Sequence, residues 1–278
     1  MRLPHWNLGD WDIMVEAGRK IVAGEDPYFA PVGISDGTWR YSPLLAYAFA
    51  VVEPIGKVGW LIVPFAMLAL LRDWRLIAVF LVSAPFWWDV ESGLSFIEIP
   101  LAALVALRGS RSAALALVAM AVLMPRPMML PLVGWFLWQR PYLRLPGAII
   151  ALALTAGAFL TGWGDEWIKA MLSVASASSE SGQIRLTTLL GPFWLVMPAL
   201  AAWLTWRGQI GLAALAISPY WTPTYPMLLV LDLPLRVAAA DASHEDDLAA
   251  SRRSIERRRG WQRVSRLLKP ASSRTHVR

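Results

Sequence analysis

Apolar stretches separated by short charged turns dominate residues 42–235. Most of these stretches are shorter than the ~20 residues that an α-helix needs to cross a hydrocarbon core. They cover residues 42–56, 58–71, 76–88, 93–107, 112–124, 127–138, 146–162, 188–206, 209–217 and 219–235. The pattern predicts an all-α integral membrane protein built from short helices.

Proline interrupts many of the apolar stretches. The interruptions fall at Pro54, Pro64, Pro85, Pro100, Pro131, Pro198 and Pro226. Broken helices at membrane depth are tolerated only where they line protein or a wet cavity. The helices are therefore expected to enclose a polar cleft.

The charged turns alternate in character along the chain. One set is basic, with Arg72, Arg75, Arg108, Arg111, Arg140, Arg144, Arg207 and Arg236. The other set is acidic, with Asp10, Asp12, Glu16, Glu25, Asp26, Asp36, Asp89, Glu91, Glu98, Asp165, Glu166 and Glu180. The positive-inside rule places the basic turns in the cytoplasm and the acidic connections outside. The inside and outside assignments agree along the chain only if residues 42–71 cross the membrane once, with a break at Pro54–Gly56. This gives about nine crossings of a cell membrane.

Three regions follow from this pattern. Residues 1–41 are predicted to form an external loop, and residues 42–236 a transmembrane bundle with a second external loop at 163–187. Residues 237–278 are predicted to form a cytoplasmic tail, with ten lysine and arginine residues against five acidic ones. Such a basic segment favours contact with anionic lipid.

Composition agrees with a membrane protein. Hydrophobic residues make up 56% of the chain and charged residues 17%, and the mean hydropathy is +0.47. The chain has no cysteine, and its three histidines lie near the ends, so neither a metal site nor a bound cofactor is predicted. Tryptophans flank several apolar stretches, as expected for an interfacial aromatic belt: Trp87, Trp88, Trp135, Trp138, Trp163, Trp203 and Trp206.

The first loop contains the stretch GDWDIMVEAGRKIVAGEDPY, residues 9–28. Residues Glu16–Ala23 are predicted to form a short amphipathic helix, with Asp10 as a plausible N-cap and Gly24 as its end. Asp10 has a second interpretation, because an aspartate in a polar cleft beside a membrane can act as a general base on a sugar hydroxyl. Local sequence alone leaves both interpretations open.

This region also resembles a known family. The residues that carry the resemblance are Asp10-Trp11-x-Ile13, Ala17-Gly18, Gly24-x-x-Pro27-Tyr28 and Tyr41-Ser42-Pro43. They are similar to glycosyltransferase family 87, the polyprenyl-phosphate-mannose-dependent mannosyltransferases of the GT-C superfamily. Further along, the chain matches that family in layout, with a Met124-Pro125-Arg126-Pro127 turn and a Ser218-Pro219-Tyr220 turn before the last helix.

The resemblance implies an inverting, metal-independent hexosyltransferase. The sugar, mannose in the family, would move from polyprenyl phosphate to a lipid-linked or cell-envelope glycan on the external face. Asp10 occupies the position of the family's base, with Asp12 two residues away as the second catalytic candidate.

Residues for binding the substrates follow from charge and hydrogen-bonding capacity. A guanidinium stabilises the negative charge of a leaving phosphate, and the candidates are Arg126 first, then Arg40 and Arg185. Candidates for binding the acceptor are Asp89, Glu91, Tyr28 and Tyr41.

One feature keeps other functions open. A transmembrane helix normally precedes this loop in the family, whereas nine residues precede Asp10 here, so that helix is expected to be missing or truncated. A degenerate, noncatalytic membrane partner and a lipid or glycan transporter are the alternatives. A transporter fits less well, because no inverted repeat is visible and the charges lie between the apolar stretches. Binding of nucleic acid is not expected, since a basic tail on a membrane protein normally fixes its topology.

Overall fold

The computed structural model describes residues 9–29, 39–92, 96–173 and 184–233. Within these ranges the chain is all-helical apart from one pair of two-residue strands. The helices are α1 (Gly9–Ala23), α2 (Pro43–Val52), α3 (Gly56–Trp60), α4 (Ile62–Leu70), α5 (Trp74–Val82), α6 (Ala84–Ser92), α7 (Glu98–Leu107), α8 (Arg111–Leu123), α9 (Met129–Gln139), α10 (Arg144–Leu160), α11 (Gly164–Ser173), α12 (Leu186–Leu190), α13 (Met197–Trp206) and α14 (Ile210–Ile217). Four 3-10 helices lie between or after them: Glu53–Ile55, Pro141–Leu143, Gly191–Val196 and Tyr225–Leu231.

Helix breaks occur where proline and glycine predict them. The stretch from 42 to 71 divides at the 3-10 helix Glu53–Ile55, and Gly56 follows with a φ of 72°. A positive φ is accessible to glycine at little cost, so this position can turn the chain. The predicted break at Pro54–Gly56 is confirmed.

Two helical segments are long and apolar enough to cross a membrane. They are Pro141–Leu160 and Thr188–Trp206, each including a 3-10 turn. Only 17% and 11% of their apolar windows are buried within the protein, so most of their apolar side chains face outward. The other predicted crossings fall on shorter helices, and the total of about nine crossings stays a prediction.

Helix α1 is longer than the sequence predicted. It begins at Gly9 rather than Glu16, so Asp10 lies in its first turn instead of at the N-cap. The extension is explained by burial, because Trp11, Met14 and Val15 follow helical spacing and lie in the core. The end was predicted correctly, since Gly24 follows the helix with a φ of 76°.

The buried face of α1 packs closely on α2. A Cβ atom at Gly18 would lie 2.7 Å from the Ala50 backbone nitrogen, so only glycine allows this approach. The Trp11 ring meets Phe49 edge to face, with 5.9 Å between ring centroids. Two ion pairs join α1 to the segment that follows α2: Lys57 Nζ in α3 lies 2.7 Å from Asp12 Oδ2, and Arg19 Nε donates to Glu53 Oε1 at 2.9 Å. This packing makes α1 part of the folded body.

The predicted external loop at 163–187 contains regular structure. Residues 164–173 form α11, whose Trp167 and Ala170 are buried in the same core cluster as α1. Further along, Ile184 and Arg185 pair in antiparallel register with Trp221 and Tyr220. The spacing of apolar residues in α11 lets this helix bury one face. The external placement of residues 163–187 stays a prediction. Residues 174–183 lie outside the described part of the chain, as does the predicted tail, 237–278.

Charged groups collect at both ends of α7 and α8. At one end, Asp73 caps α5 and accepts a hydrogen bond from Arg108 Nη2 at 2.8 Å. Nearby along the chain, the Arg111 guanidinium lies over the Tyr142 ring. At the opposite end, α7 begins at Glu98 and α8 leads into Arg126. The candidate site lies at this second end.

Candidate active site

Arg126 lies in the connection between α8 and α9. Its Nη2 donates a hydrogen bond to the Tyr41 hydroxyl at 2.6 Å. The guanidinium carbon lies 5.4 Å from the centroid of the Tyr41 ring and 5.8 Å from that of Phe96. Both distances suit cation–π interaction, which holds a guanidinium against aromatic faces. The side chain is therefore fixed in position as well as charged.

Tyr41 is placed by contacts that join distant parts of the chain. The backbone nitrogen of Ser42 donates to Leu123 O at 2.9 Å, which fixes the start of α2 against the end of α8. The Tyr28 hydroxyl donates to the Tyr41 carbonyl at 3.2 Å. Burial raises the pKa of Tyr28, so this hydroxyl keeps its proton and can serve as the donor. Tyr28 thus supports Tyr41.

Asp89 is a buried acid near the N-terminus of α7. Its side chain accepts a hydrogen bond from the Ile97 backbone nitrogen at 2.8 Å, and the residue is 1% exposed. Burial raises the pKa of Asp89 to about 7, although the Ile97 bond and the Arg126 charge act in the opposite direction. The charge of Asp10 raises it further. A carboxyl group tuned in this way can hold or release a proton near neutral pH.

Asp10 and Asp12 have different surroundings. Asp10 is close enough to Asp89 for its charge to disfavour ionisation of Asp89. Asp12 instead forms the ion pair with Lys57. Each residue of an α-helix turns by about 100°, so positions two apart point to nearly opposite sides. The structure thus brings only Asp10 toward Asp89 and Arg126.

Glu98 is a member of this site that the sequence did not single out. The residue is half-buried, but both carboxylate oxygens are buried and have no hydrogen-bond partner among the described residues. Asp89 and Arg126 lie close enough for their charges to act on it. The available signal was an acid opening the otherwise apolar helix EIPLAALVAL. We refer to Asp10, Tyr41, Asp89, Glu98 and Arg126 as the acid–arginine cluster.

The structure does not place the three remaining candidates in this cluster. Glu91 is exposed on α6, two residues after Asp89, and the helix turns it away from that side chain. Arg40 is half-buried next to Tyr41 in the chain. The backbone of Arg185 lies in the short strand pair, but the side chain is not among those described. Roles for these three residues stay predictions.

The acid–arginine cluster combines groups with complementary chemistry. It places a fixed cation beside carboxyl groups, among them Asp89, whose pKa is raised toward neutrality by burial. Such a set can accept a proton and stabilise an anionic leaving group. Within the described ranges, no group of three or more histidine or acidic residues has the arrangement to hold a metal ion.

These features define a class: an all-helical protein with two membrane-length apolar segments and a partly buried site of acids and one arginine. Comparison with family models found no match, and comparisons with curated proteins and with solved structures also found none. The functional argument therefore rests on the residues of this chain.

Proposed function

We propose that this protein is a membrane glycosyltransferase that moves a sugar from polyprenyl phosphate to a glycan acceptor at the external face. One observation carries the proposal. Asp10, Asp89 and Arg126 lie far apart in sequence but interact electrostatically in one cluster. The resemblance of the first fifty residues to glycosyltransferase family 87 supplies mannose as the sugar and a lipid-linked or cell-envelope glycan as the acceptor.

The proposed reaction is a single inverting displacement. The acceptor hydroxyl oxygen forms a bond to C1 of the sugar while the bond from C1 to the phosphate oxygen breaks. Asp10 takes the hydroxyl proton, and the polyprenyl phosphate leaves with the bonding electron pair. Arg126 stabilises the negative charge on that phosphate, and its bond to Tyr41 holds the guanidinium in place.

A membrane-dissolved donor suits the surface of this protein. The two membrane-length segments expose large apolar side chains, including Leu145, Leu152, Leu160, Phe193 and Leu195. Contiguous apolar surface of this kind marks contact with lipid or with a partner. A lipid-linked donor reaches the cluster from the bilayer, so no nucleotide-binding loop is required.

The proposed orientation can be tested directly. We expect α1 to face the outside, because the acid–arginine cluster and the basic turns lie at opposite ends of α7 and α8. The chain has no cysteine, so single substitutions report on one site each. In intact cells, an impermeant thiol reagent should label Ala23→Cys and leave Ser112→Cys unlabelled, whereas a permeant reagent should label both. Labelling of Ser112→Cys alone would show that the orientation is the opposite one and that the site does not face the outside.

The reaction itself can be tested with defined donors. Purified protein in lipid vesicles should transfer radiolabelled mannose from a short polyprenyl phosphate to an alkyl mannoside. GDP-mannose should give no product in the same assay, because the sequence has no Gly-rich phosphate loop and the described residues include no metal-binding cluster to hold a diphosphate. Product from GDP-mannose alone, or no product from any polyprenyl-phosphate sugar, would reject the proposed function.

A further inference from the structure

Glu98 differs from its neighbour Asp89 in the hydrogen bonding of its carboxyl group. Asp89 accepts a backbone hydrogen bond from Ile97, whereas both carboxylate oxygens of Glu98 are buried without a hydrogen-bond partner among the described residues. Leaving a buried polar group unsatisfied is costly, and native proteins do so rarely. The position thus indicates a carboxyl group whose partner is a ligand.

The surroundings of Glu98 limit what that ligand can be. Arg126 acts on Glu98 through its charge, but its guanidinium forms no hydrogen bond to Glu98 and donates to Tyr41 instead. The same guanidinium disfavours a metal cation at this position. The acids Asp10 and Asp89 disfavour a second carboxylate. An uncharged ligand with hydrogen-bond donors satisfies all of these conditions.

Aromatic rings hold the cation of this site in place. Phe96, two residues before Glu98, is 1% exposed, stacks on Tyr225 with 4.9 Å between ring centroids and also contacts the Arg126 guanidinium. The ring is therefore covered by protein, and the polar groups are left to recognise the ligand. A neutral hexose supplies the hydroxyl groups that such recognition needs.

We infer that Glu98 binds a hydroxyl group of the transferred sugar and thereby selects an uncharged hexose. This inference rests on the proposed function, because it assigns a substrate contact within the same site. A hydrogen bond joins the Glu98 carboxyl group to the sugar hydroxyl, so the sugar supplies the partner that the protein does not. Glu98 is then a determinant of the donor sugar, separate from the proton transfer at Asp10.

The test compares donors that lack one hydroxyl with variants that lack the carboxylate. In the wild-type protein, one deoxy-mannose donor should have a kcat/KM about 3–10-fold below that of the full donor, as expected for loss of a hydrogen bond between uncharged groups. Glu98→Gln and Glu98→Ala should lower kcat/KM for the full donor by a similar factor. Both variants should use the full donor and that deoxy donor equally well, which is the signature of a direct pair in a double-mutant cycle. Glu25→Gln, on the exposed segment after α1, is the matched control and should behave as wild type.

Several outcomes would overturn the inference. A wild-type protein that transfers sugar, with Glu98→Gln unchanged on every donor, would reject the role of Glu98 and leave the proposed function standing. A wild-type protein inactive with all polyprenyl-phosphate sugars would reject the proposed function itself. Melting temperatures separate binding from folding, because replacing a buried unsatisfied carboxylate by an amide should maintain or raise stability. A marked loss of stability in Glu98→Gln would assign the carboxylate a structural role instead.

Discussion

Arg126→Ala should lower kcat/KM for the polyprenyl-phosphate donor by about 100-fold or more, because it removes the cation that stabilises the leaving phosphate. The side chain is fixed by its 2.6 Å hydrogen bond to Tyr41 and by two aromatic faces, so its charge is preorganised. The KM for the acceptor should change little. Initial rates measured at varied donor and at varied acceptor concentrations separate these two effects.

Two variants serve as comparisons for Arg126→Ala. Tyr41→Phe keeps the ring beside the guanidinium and removes only the hydroxyl that accepts its hydrogen bond, so a smaller loss of about 5–20-fold is expected. Arg75→Ala removes an exposed arginine at the first turn of α5, which belongs to the basic connections assigned to the cytoplasm. This variant should leave the rate unchanged. Full activity of Arg126→Ala would contradict the proposed mechanism.

Asp10→Asn should reduce sugar transfer by about 100- to 10,000-fold, because an amide cannot accept the hydroxyl proton. Asp12→Asn should retain activity within about threefold. Its carboxylate is paired with Lys57 in a partly exposed ion pair, and such pairs contribute only ~1 kcal/mol or less to stability. Single-turnover transfer with saturating donor measures the chemical step for both variants.

The melting temperatures of the two variants make this comparison decisive. Asp10→Asn removes a negative charge that disfavours ionisation of Asp89, so the variant should be as stable as the wild type. An inactive but folded Asp10→Asn protein supports a catalytic role. Equal loss of activity in Asp10→Asn and Asp12→Asn, together with lower stability in both, would show that the aspartates serve the helix rather than the reaction.

The sequence by itself determined the secondary structure of this protein well. Alternation of apolar stretches with charged turns predicted the helices, since each stretch is too apolar to remain in contact with water. Proline and glycine marked the breaks, as at Pro54 and Gly56, because they remove a backbone donor or allow a positive φ. Local signals of this kind need no knowledge of distant residues.

The candidate site was predicted only in part. Asp10, Tyr41, Asp89 and Arg126 were proposed from residue type and from the family resemblance, and these four do share one cluster. The sequence treated Asp10 and Asp12 as neighbours with related roles. Which of the two enters the site depends on the length and rotation of α1, and these are fixed by its packing on α2.

Only the tertiary structure draws attention to Glu98 and to the support that Tyr28 gives Tyr41. In the sequence, Glu98 is one acid among several near a helix end, and its significance comes from the burial of both carboxylate oxygens without a partner. Tyr28 was predicted to bind the acceptor, whereas in the fold its hydroxyl donates to the Tyr41 carbonyl thirteen positions away. A role in acceptor binding stays a prediction. Burial and electrostatic coupling depend on which helices meet, so they arise only once the whole chain has packed.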